Sequence, residues 1–195
     1  ARYNIAPTQS VPVIRQRRDG QRVMEEMRWG LVPHWVKDPK AFKANLFNAR
    51  SESAAEKPSF RDAMKTHRCL VPASGFYEWR AEEGGKQPYF VYRADGEPMA
   101  FAGLWSVNAH GPEPLATCTI LTTDANEEMR ALHDRMPVIL ERDEWARWLD
   151  PEEVDPQRLE DLLDPADPGV LRMHPVSRSV GSPRVDDPSL VQAVA

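Results

Sequence analysis

Proline is the residue that most restricts how this chain can fold. The 195-residue sequence contains eighteen prolines, spread from Pro7 to Pro188. Each one removes a backbone hydrogen-bond donor and fixes one backbone angle, which interrupts helices and the interior of sheets. The sequence therefore predicts short strands and many loops rather than long helices.

Seven segments have the apolar, β-branched or aromatic composition that is typical of β-strands. They are 4–17, 21–35, 68–80, 87–94, 98–107, 116–124 and 137–140, followed by a last extended piece at 173–177. The sequence ADGE at 94–97 is typical of a tight turn. We therefore expect segments 87–94 and 98–107 to form a hairpin.

Four short helices are predicted beside these strands, at 59–68, 124–132, 143–149 and 156–164. The second is expected to begin at Asp124, because Glu127 three residues later completes a capping box. It should end near residue 133, because Pro137 disfavours helix at the residue before it. Residues 182–195 are rich in Pro, Ser and Asp and are expected to form a loosely held tail after a single domain at 1–181.

The composition is that of a soluble protein, with 41% hydrophobic and 28% charged residues. No apolar run is long enough to span a membrane, and we expect no signal peptide. Cys69 and Cys118 lie in apolar, strand-like runs and are predicted to be buried free thiols of an intracellular protein, with a disulfide left open. The five histidines show no metal-binding spacing, so neither a metal nor a cofactor is predicted.

Charge is distributed unevenly along the chain. Residues 1–80 hold 15 Lys/Arg and 8 Asp/Glu, a net charge of +7, whereas residues 81–195 hold 10 and 22, a net charge of −12. One basic face on an acidic protein is the pattern expected for contact with phosphate groups.

The stretch GFYEWR at 75–80 places one carboxyl among large apolar residues. Because side chains alternate along a strand, Glu78 lies on the face of Phe76 and opposite Tyr77 and Trp79. One interpretation is an edge strand with its polar face in water. The other is an acid set in an apolar wall, which would raise its pKa for proton transfer.

Two further polar clusters interrupt apolar sequence. In FNARSE, Asn48 and Arg50 share a face if the segment is extended, and an amide and a guanidinium are suited to sugar and phosphate. In LHDRMP, His133 ends a helix two residues before Arg135. Each cluster alone is better explained by an ordinary turn residue, helix cap or core residue than by a site.

Eight motifs taken together are more specific than these clusters. In chain order they are RYNIAPTQ, WGLVPHW, FNARSE, RCLVPASGFYEW, PYFVYRADGEPMAFAGLW, TILTTDAN, LHDRMPVIL and HPVS. They resemble the SOS-response-associated peptidase (SRAP) family over essentially the whole chain to about residue 181. The resemblance implies an α+β fold, a single domain with a distorted barrel of mainly antiparallel strands and peripheral short helices. It also implies binding of single-stranded DNA and capture of abasic sites.

The resemblance assigns roles to individual residues. Asn48, Glu78 and His133 match the family's active-site group around the abasic sugar. Glu78 would transfer protons, and His133 would help to open the deoxyribose to its aldehyde. A larger set would line the DNA path, with aromatic side chains against bases and arginines on phosphates. These residues are Arg2, Asn4, Pro7, Trp35, Arg50, Trp79 and Arg135.

The family's nucleophile is an N-terminal cysteine, exposed by removal of the initiator Met, whose amine and thiol condense with the aldehyde into a thiazolidine. This sequence begins at Ala1, and RYNIAP matches a segment a few dozen residues inside the family. We therefore expect the cysteine in a segment that precedes this sequence, and the 195 residues alone to be inactive in crosslinking. Cys69 and Cys118 cannot replace it, because neither has a free α-amine.

Two other functions stay open from the sequence. One is a peptidase or autopeptidase of the SOS response, although no Ser/His/Asp arrangement is recognisable. The other is a non-catalytic module for single-stranded DNA, which would have little use for the carboxyl of Glu78 beside phosphate. The predicted partner is single-stranded DNA with abasic sites, without a membrane, and the protein is expected to be a monomer in the cytoplasm, near the nucleoid if bacterial.

Overall fold

A computed structural model describes residues 1–194, and its strands form two sheets. The strands are β1 (Ser10–Gln16), β2 (Arg22–Trp29), β3 (Asn48–Arg50), β4 (Arg68–Ala73), β5 (Phe76–Glu82), β6 (Gly85–Arg93), β7 (Met99–Asn108), β8 (Leu115–Asp124), β9 (Arg135–Pro137) and β10 (Leu171–Pro175). The α-helices are α1 (Ser51–Ala54), α2 (Arg61–Thr66), α3 (Glu127–Arg130) and α4 (Trp145–Leu149), and 3₁₀ turns cover Pro156–Leu163, Arg178–Gly181 and Pro188–Val191. Every helix is short, as the prolines predict.

The larger sheet follows a closed, ring-like path. Its strand order is β2-β1-β4-β7-β8-β3, with β9 added on β8. The end of β2 also pairs in parallel with β8, where Trp29 lies beside Cys118. This pairing connects β2 to β8, so β2, β1, β4, β7 and β8 form a ring of paired strands, and β3 and β9 pair with β8 beside that ring. The predicted α+β domain of mainly antiparallel strands with peripheral short helices is confirmed.

The smaller sheet has the order β10-β6-β5 and packs beside the ring. The hairpin expected around residues 94–97 is wrong, because β6 pairs with β5 and β10 while β7 pairs with β4 and β8. The turn itself is present, with Gly96 at φ 78°. The chain reverses direction at this turn and passes from the smaller sheet to the larger one. β6 cannot pair with β7, because β4 and β8 already occupy both edges of β7.

The two faces of the central strands supply two separate cores. In β4, Cys69 and Val71 belong to one buried cluster and Leu70 to the other. The same alternation continues in β7, where Phe101 and Ala102 lie in different clusters. This is the period-2 pattern of a strand that is buried on both sides. Cys69 and Cys118 are both buried and free, which confirms the prediction for the thiols.

The cap of α3 differs from the sequence prediction. The N-cap is Asn126, whose side chain accepts a hydrogen bond from the Met129 N–H at 2.9 Å. Asp124, the predicted cap, is instead the last residue of β8. Its carboxylate is taken by Arg135, 2.5 Å away, so tertiary pairing determines where the strand ends and the helix begins.

The segment after residue 181 is packed against the rest of the domain rather than loosely held. Leu190 is only 1% exposed and joins a small cluster with Val176, Val180 and the rings of β5. Asp187 caps the last 3₁₀ turn by accepting from the Ser189 N–H. Within residues 1–194, no helix has the length and apolar character required to cross a bilayer.

We expect Gly75→Ala to lower the free energy of unfolding by roughly 1–3 kcal/mol, because overpacking a filled core forces side chains and backbone to shift. A methyl group at this position would lie 2.3 Å from the Phe90 ring and 2.7 Å from the carbonyl oxygen of Val91. Urea unfolding measures the change.

The matched control is Gly181→Ala, where an added methyl group meets no atom within 4 Å. This variant should stay within about 0.5 kcal/mol of the parent. Equal stability of the two variants would contradict the close approach of Gly75 to the β6 strand.

Candidate functional site

An open cavity of about 1330 Å³ lies where the two sheets and both ends of the chain meet. Three polar side chains of the predicted active-site group line it together: Asn48 from β3, Glu78 from β5 and His133 from the turn after α3. These residues are separated by 30 and 55 positions in the sequence. Only the packing of the small sheet against the ring brings them to one space.

Strand β5 places Glu78 in an apolar wall of this cavity. Phe76 packs edge-on against Phe101 in the ring core, with 5.8 Å between ring centroids, while Tyr77 and Trp79 pack on the opposite side with the C-terminal cluster. The alternation predicted for GFYEWR is therefore confirmed. β5 is an edge strand, but the Glu78 side chain does not face open water, since it is half-buried.

Burial raises the pKa of the Glu78 carboxyl above its ordinary value. Three groups favour the ionised form and partly oppose this effect: the Trp79 N–H, which donates to Oε1 at 3.0 Å, and the positive charges of His133 and Lys86. Desolvation disfavours the charged form, as expected for a carboxyl in apolar surroundings. A group of this kind can hold a proton nearer to neutral pH than a surface glutamate can.

His133 has one ring nitrogen committed to the backbone. The Arg135 N–H donates to Nδ1 at 3.0 Å, and the His133 N–H itself donates to the Met129 carbonyl oxygen at 2.9 Å. An accepting Nδ1 leaves Nε2 as the protonated nitrogen of the neutral ring. The turn after α3 thus fixes both the position and the tautomer of this exposed side chain.

Asn48 and Arg50 stand on the same face of β3, as predicted for an extended FNARSE. The strand pairs in parallel with β8, with Asn48 beside Ile120 and Arg50 beside Thr122. Both side chains are exposed, and Asn48 lines the cavity while Arg50 does not. Ala49 between them is buried and anchors the strand.

Arg135 lines the cavity, but both terminal nitrogens of its guanidinium, Nη1 and Nη2, are already hydrogen-bonded. It bridges Glu52 at 2.7 and 2.9 Å and Asp124 at 2.5 Å, and it donates to the carbonyl oxygen of Thr122 at 2.7 Å. The side chain is 16% exposed, and these bonds raise its pKa, the bond to Glu52 most. Arg135 therefore ties α1, β8 and β9 together beside His133, rather than presenting a free cation.

The predicted residues of the first motif divide between the cavity and its support. Arg2 and Pro7 are exposed on the cavity rim. Asn4 lines the cavity too, but it is buried and its amide donates to the carbonyl oxygens of Val180, Ser182 and Val185 at 3.0–3.1 Å. Its side chain holds the two ends of the chain together.

The aromatic residues predicted for the DNA path are also divided. Trp79 lines the cavity, next to Glu78. Trp35 is 47% exposed and is not among the residues that line this cavity. It lies on the outer loop between β2 and β3, one residue after His34. Of the two aromatic residues predicted for the DNA path, one therefore lines the cavity and the other lies outside it.

Sequence reasoning gave no role to two residues that support the cavity wall, Asp186 and Tyr77. Asp186 accepts from the backbone N–H groups of Tyr3 and Asn4 at 2.5 and 3.0 Å, and the Tyr77 hydroxyl donates to the Tyr3 carbonyl oxygen at 2.7 Å. Burial, aided by the charge of Asp186, raises the pKa of Tyr77 to about 12. No local signal marks Asp186, because its partners lie more than 180 residues away.

A comparison with protein families matches residues 1–183 to the family described as SOS response associated peptidase (SRAP). One similar curated protein is the abasic site processing protein YoqW of Bacillus subtilis, 41% identical over 193 residues, which cover 98% of this chain and 85% of that protein. Another is the abasic site processing protein HMCES of Gallus gallus, 37% identical over 95% of this chain and 64% of that protein.

A similar fold is found among solved structures. A crystal structure of a protein from Bacteroides thetaiotaomicron superimposes with a TM-score of 0.86 at 30% sequence identity. The match covers 96% of this chain and 82% of that chain. Both sheets therefore belong to a fold that is shared across the matched length.

We expect Glu78→Gln to stabilise the protein at neutral pH. The raised pKa means that the native state disfavours the ionised carboxyl. The contribution of Glu78 to stability is therefore fully present below its ordinary pKa of 4.5 and is lost as the pH rises through the native pKa. Glutamine keeps an oxygen for the Trp79 N–H but carries no charge. Its advantage in urea unfolding should be largest near pH 7 and should vanish towards about pH 4.

Glu97→Gln, which removes an exposed carboxyl from the rim of the same cavity, is the control. An advantage of Glu78→Gln that grows as the pH falls would show that the carboxyl is stabilised in its charged form.

Asn4→Ala should cost roughly 1–3 kcal/mol of stability, because the buried carbonyl oxygen of Val180 and the partly buried ones of Ser182 and Val185 each lose an amide donor. It should also increase amide hydrogen exchange in residues 180–191. Asn45→Ala, at an exposed asparagine, should change neither quantity. Unaltered exchange in Asn4→Ala would show that the C-terminal segment is held independently of the N-terminal one.

Proposed function

The chain belongs to the SOS response associated peptidase family, and from that premise we propose that it binds DNA at abasic sites and processes them. Its curated relatives carry the name abasic site processing protein. The observation that carries the proposal is the meeting of Glu78, His133 and Asn48 in one open cavity with largely apolar walls. Such a cavity fits a deoxyribose that has lost its base.

The chemistry of an abasic sugar explains why these groups are useful there. The sugar is mostly a closed hemiacetal, and it becomes reactive when the ring opens to an aldehyde. Opening requires a proton to leave the C1 hydroxyl and a proton to reach the ring oxygen. Glu78, with its raised pKa, is suited to give or take that proton, and Nε2–H of His133 can donate to the ring oxygen.

Asn48 would hold the sugar in place. Its exposed amide at the cavity wall has both a donor and an acceptor free for the sugar hydroxyl or the adjacent phosphate. Because β3 is fixed by parallel pairing to β8, the amide is presented from a rigid element. Precise positioning of this kind is a large part of catalysis by proton transfer.

The finer proposal concerns a covalent adduct. An N-terminal cysteine placed at the cavity would add its amine to the aldehyde, lose water to give an imine, and close a thiazolidine ring by attack of its thiol on the imine carbon. Ala1 and Arg2 line the cavity, so the chain already leads to it. Cys69 and Cys118 are unsuited to this step, because both are buried and burial raises the pKa of both thiols.

Exposed basic and aromatic side chains outside the cavity would guide the strand. Arg50 is exposed and available for phosphate contacts, and Trp35 presents an exposed ring for stacking. The exposed Arg2 guanidinium already donates to the Ser10 carbonyl oxygen at 2.5 Å and to Gln9 Oε1 at 2.8 Å, so a phosphate would have to compete with these bonds. Arg135 is proposed to act differently from the first expectation. Arg135 holds the turn that carries His133, because its Nη1 and Nη2 are bound to Glu52 and Asp124.

The decisive experiment uses this protein with a native-like N-terminal segment that begins with cysteine, incubated with single-stranded DNA carrying one abasic site. We expect a heat-stable adduct on a denaturing gel. Glu78→Gln should slow adduct formation by about 10²-fold or more, the usual contribution of a general acid or base. Its affinity for intact single-stranded DNA should stay unchanged.

Glu97→Gln serves as the control, and it should form adduct at the parent rate. Binding of intact DNA without any adduct would favour a non-catalytic binding module instead. Cleavage of unrelated peptides by the purified protein would favour a peptidase. Loss of DNA binding and of adduct in equal measure in Glu78→Gln would make the carboxyl a structural group.

A further inference from the structure

A second, smaller pocket of about 240 Å³ lies beside the first cavity. We propose that it binds a backbone phosphate of the DNA strand, next to the nucleotide that occupies the main cavity. The proposal rests on the proposed function, and it adds two residues, Arg28 and Lys43, that the sequence did not single out. The ligand chemistry is a phosphodiester of a single strand.

The two pockets are neighbours that share one lining residue. Phe47 lines both of them, and Thr8 of the small pocket directly follows Pro7 of the large one. The Phe47 ring is fixed by an edge-on contact with Trp29, and the Trp29 indole N–H donates to the Phe47 carbonyl oxygen at 2.8 Å. A strand that leaves the main cavity past Phe47 therefore enters the small pocket.

The charge of the small pocket differs from that of the main cavity. Among residues 1–194, Arg28 and Lys43 are the only charged residues that line it, and no carboxylate does. The main cavity, in contrast, is lined by carboxylates such as Glu26, Glu78 and Glu97 as well as by arginines. Two cations without an acid attract an anion, and phosphate is the anion that DNA supplies.

Arg28 is unusual among the half-buried arginines of this protein. Arg15, Arg93 and Arg135 have side chains 16–20% exposed, and each is bound to a carboxylate within 3 Å. Arg28 is also partly buried, yet within residues 1–194 it forms no ion pair and donates only to the Gly30 carbonyl oxygen at 3.4 Å. A partly desolvated cation without a partner is costly, and an incoming phosphate removes that cost.

The backbone around this pocket adopts an unusual conformation. Thr8 has φ 75°, the left-handed region that a β-branched residue rarely adopts, and its N–H donates to the Trp29 carbonyl oxygen at 2.7 Å. Gly30 has φ 127°, and a methyl group there would lie 3.9 Å from Nη1 of Arg28. Strained backbone that the surroundings hold in place is concentrated at binding sites. Here Thr8 and Gly30 both line the pocket that contains Arg28.

The test measures binding of the 195-residue protein to a fluorescent single-stranded oligonucleotide by anisotropy, over a series of salt concentrations. We expect Arg28→Ala and Lys43→Ala each to weaken binding severalfold at low salt. Each should also flatten the dependence of log K on log salt by about 0.7, the value for one lost phosphate contact on a single strand. The effect should not depend on base sequence.

Arg22→Ala is the matched control, because Arg22 lies on the same strand and the same face as Arg28 but lines neither pocket. The Arg22→Ala variant should bind the oligonucleotide as tightly as the parent does, because it removes one positive charge outside both pockets. Lys43 is exposed on a loop, so its variant tests the proposal even if Arg28→Ala fails to fold.

The outcomes separate this proposal from the proposed function. If the parent protein binds no single-stranded DNA, the proposed function fails and this subsite fails with it. If the parent binds but Arg28→Ala and Lys43→Ala match Arg22→Ala in affinity and salt slope, the subsite alone is overturned. Loss of affinity for one base sequence only would also overturn it, because phosphate contacts carry no sequence preference.

Discussion

The pairing of β8 with four other strands is the interaction on which the rest of the structure depends. This strand is antiparallel to β7 and β9 and parallel to β3 and β2. Its backbone closes the ring, and its neighbours carry the polar group of the site, with Asn48 on β3 and Arg135 on β9. The strand lies deep inside the domain: Thr117 is fully buried, and its hydroxyl accepts a hydrogen bond from the Val32 N–H.

The electrostatics of the cavity follow from which charges are paired. Arg15, Arg93 and Arg135 are each paired with a carboxylate, so they connect neighbouring parts of the fold. Within residues 1–194, Glu78 forms no ion pair, and burial raises the pKa of its carboxyl. A paired charge stabilises the fold, whereas a carboxyl with a raised pKa in a cavity is a candidate for proton transfer.

The two ends of the chain meet at the cavity and form part of its wall. Asn4 and Asp186 satisfy each other's segments through backbone groups, and Tyr77 holds the first segment against β5. The matched family region ends at residue 183, yet Asp186 binds the backbone of Tyr3 and Asn4 behind the cavity wall, and Leu190 packs in the cluster that holds Tyr77. The cavity wall is therefore assembled only when the segments 1–7 and 180–191 have come together.

The sequence by itself determined the local features. Prolines limited the helices to short ones, the alternation of GFYEWR put Glu78 on the opposite face from Tyr77 and Trp79, and apolar surroundings marked the two buried thiols. These features depend on steric and solvation preferences that act between residues a few positions apart.

Tertiary structure alone decided which strands pair and which charges meet. The turn at 94–97 formed as predicted, but its strands joined different sheets, and Asp124 bound Arg135 instead of capping α3. The partners of Arg135 and Asp186 lie up to about 180 residues away, so no local pattern could reveal them. Short-range sterics choose the conformation of a segment, whereas long-range burial and backbone hydrogen bonding choose its neighbours.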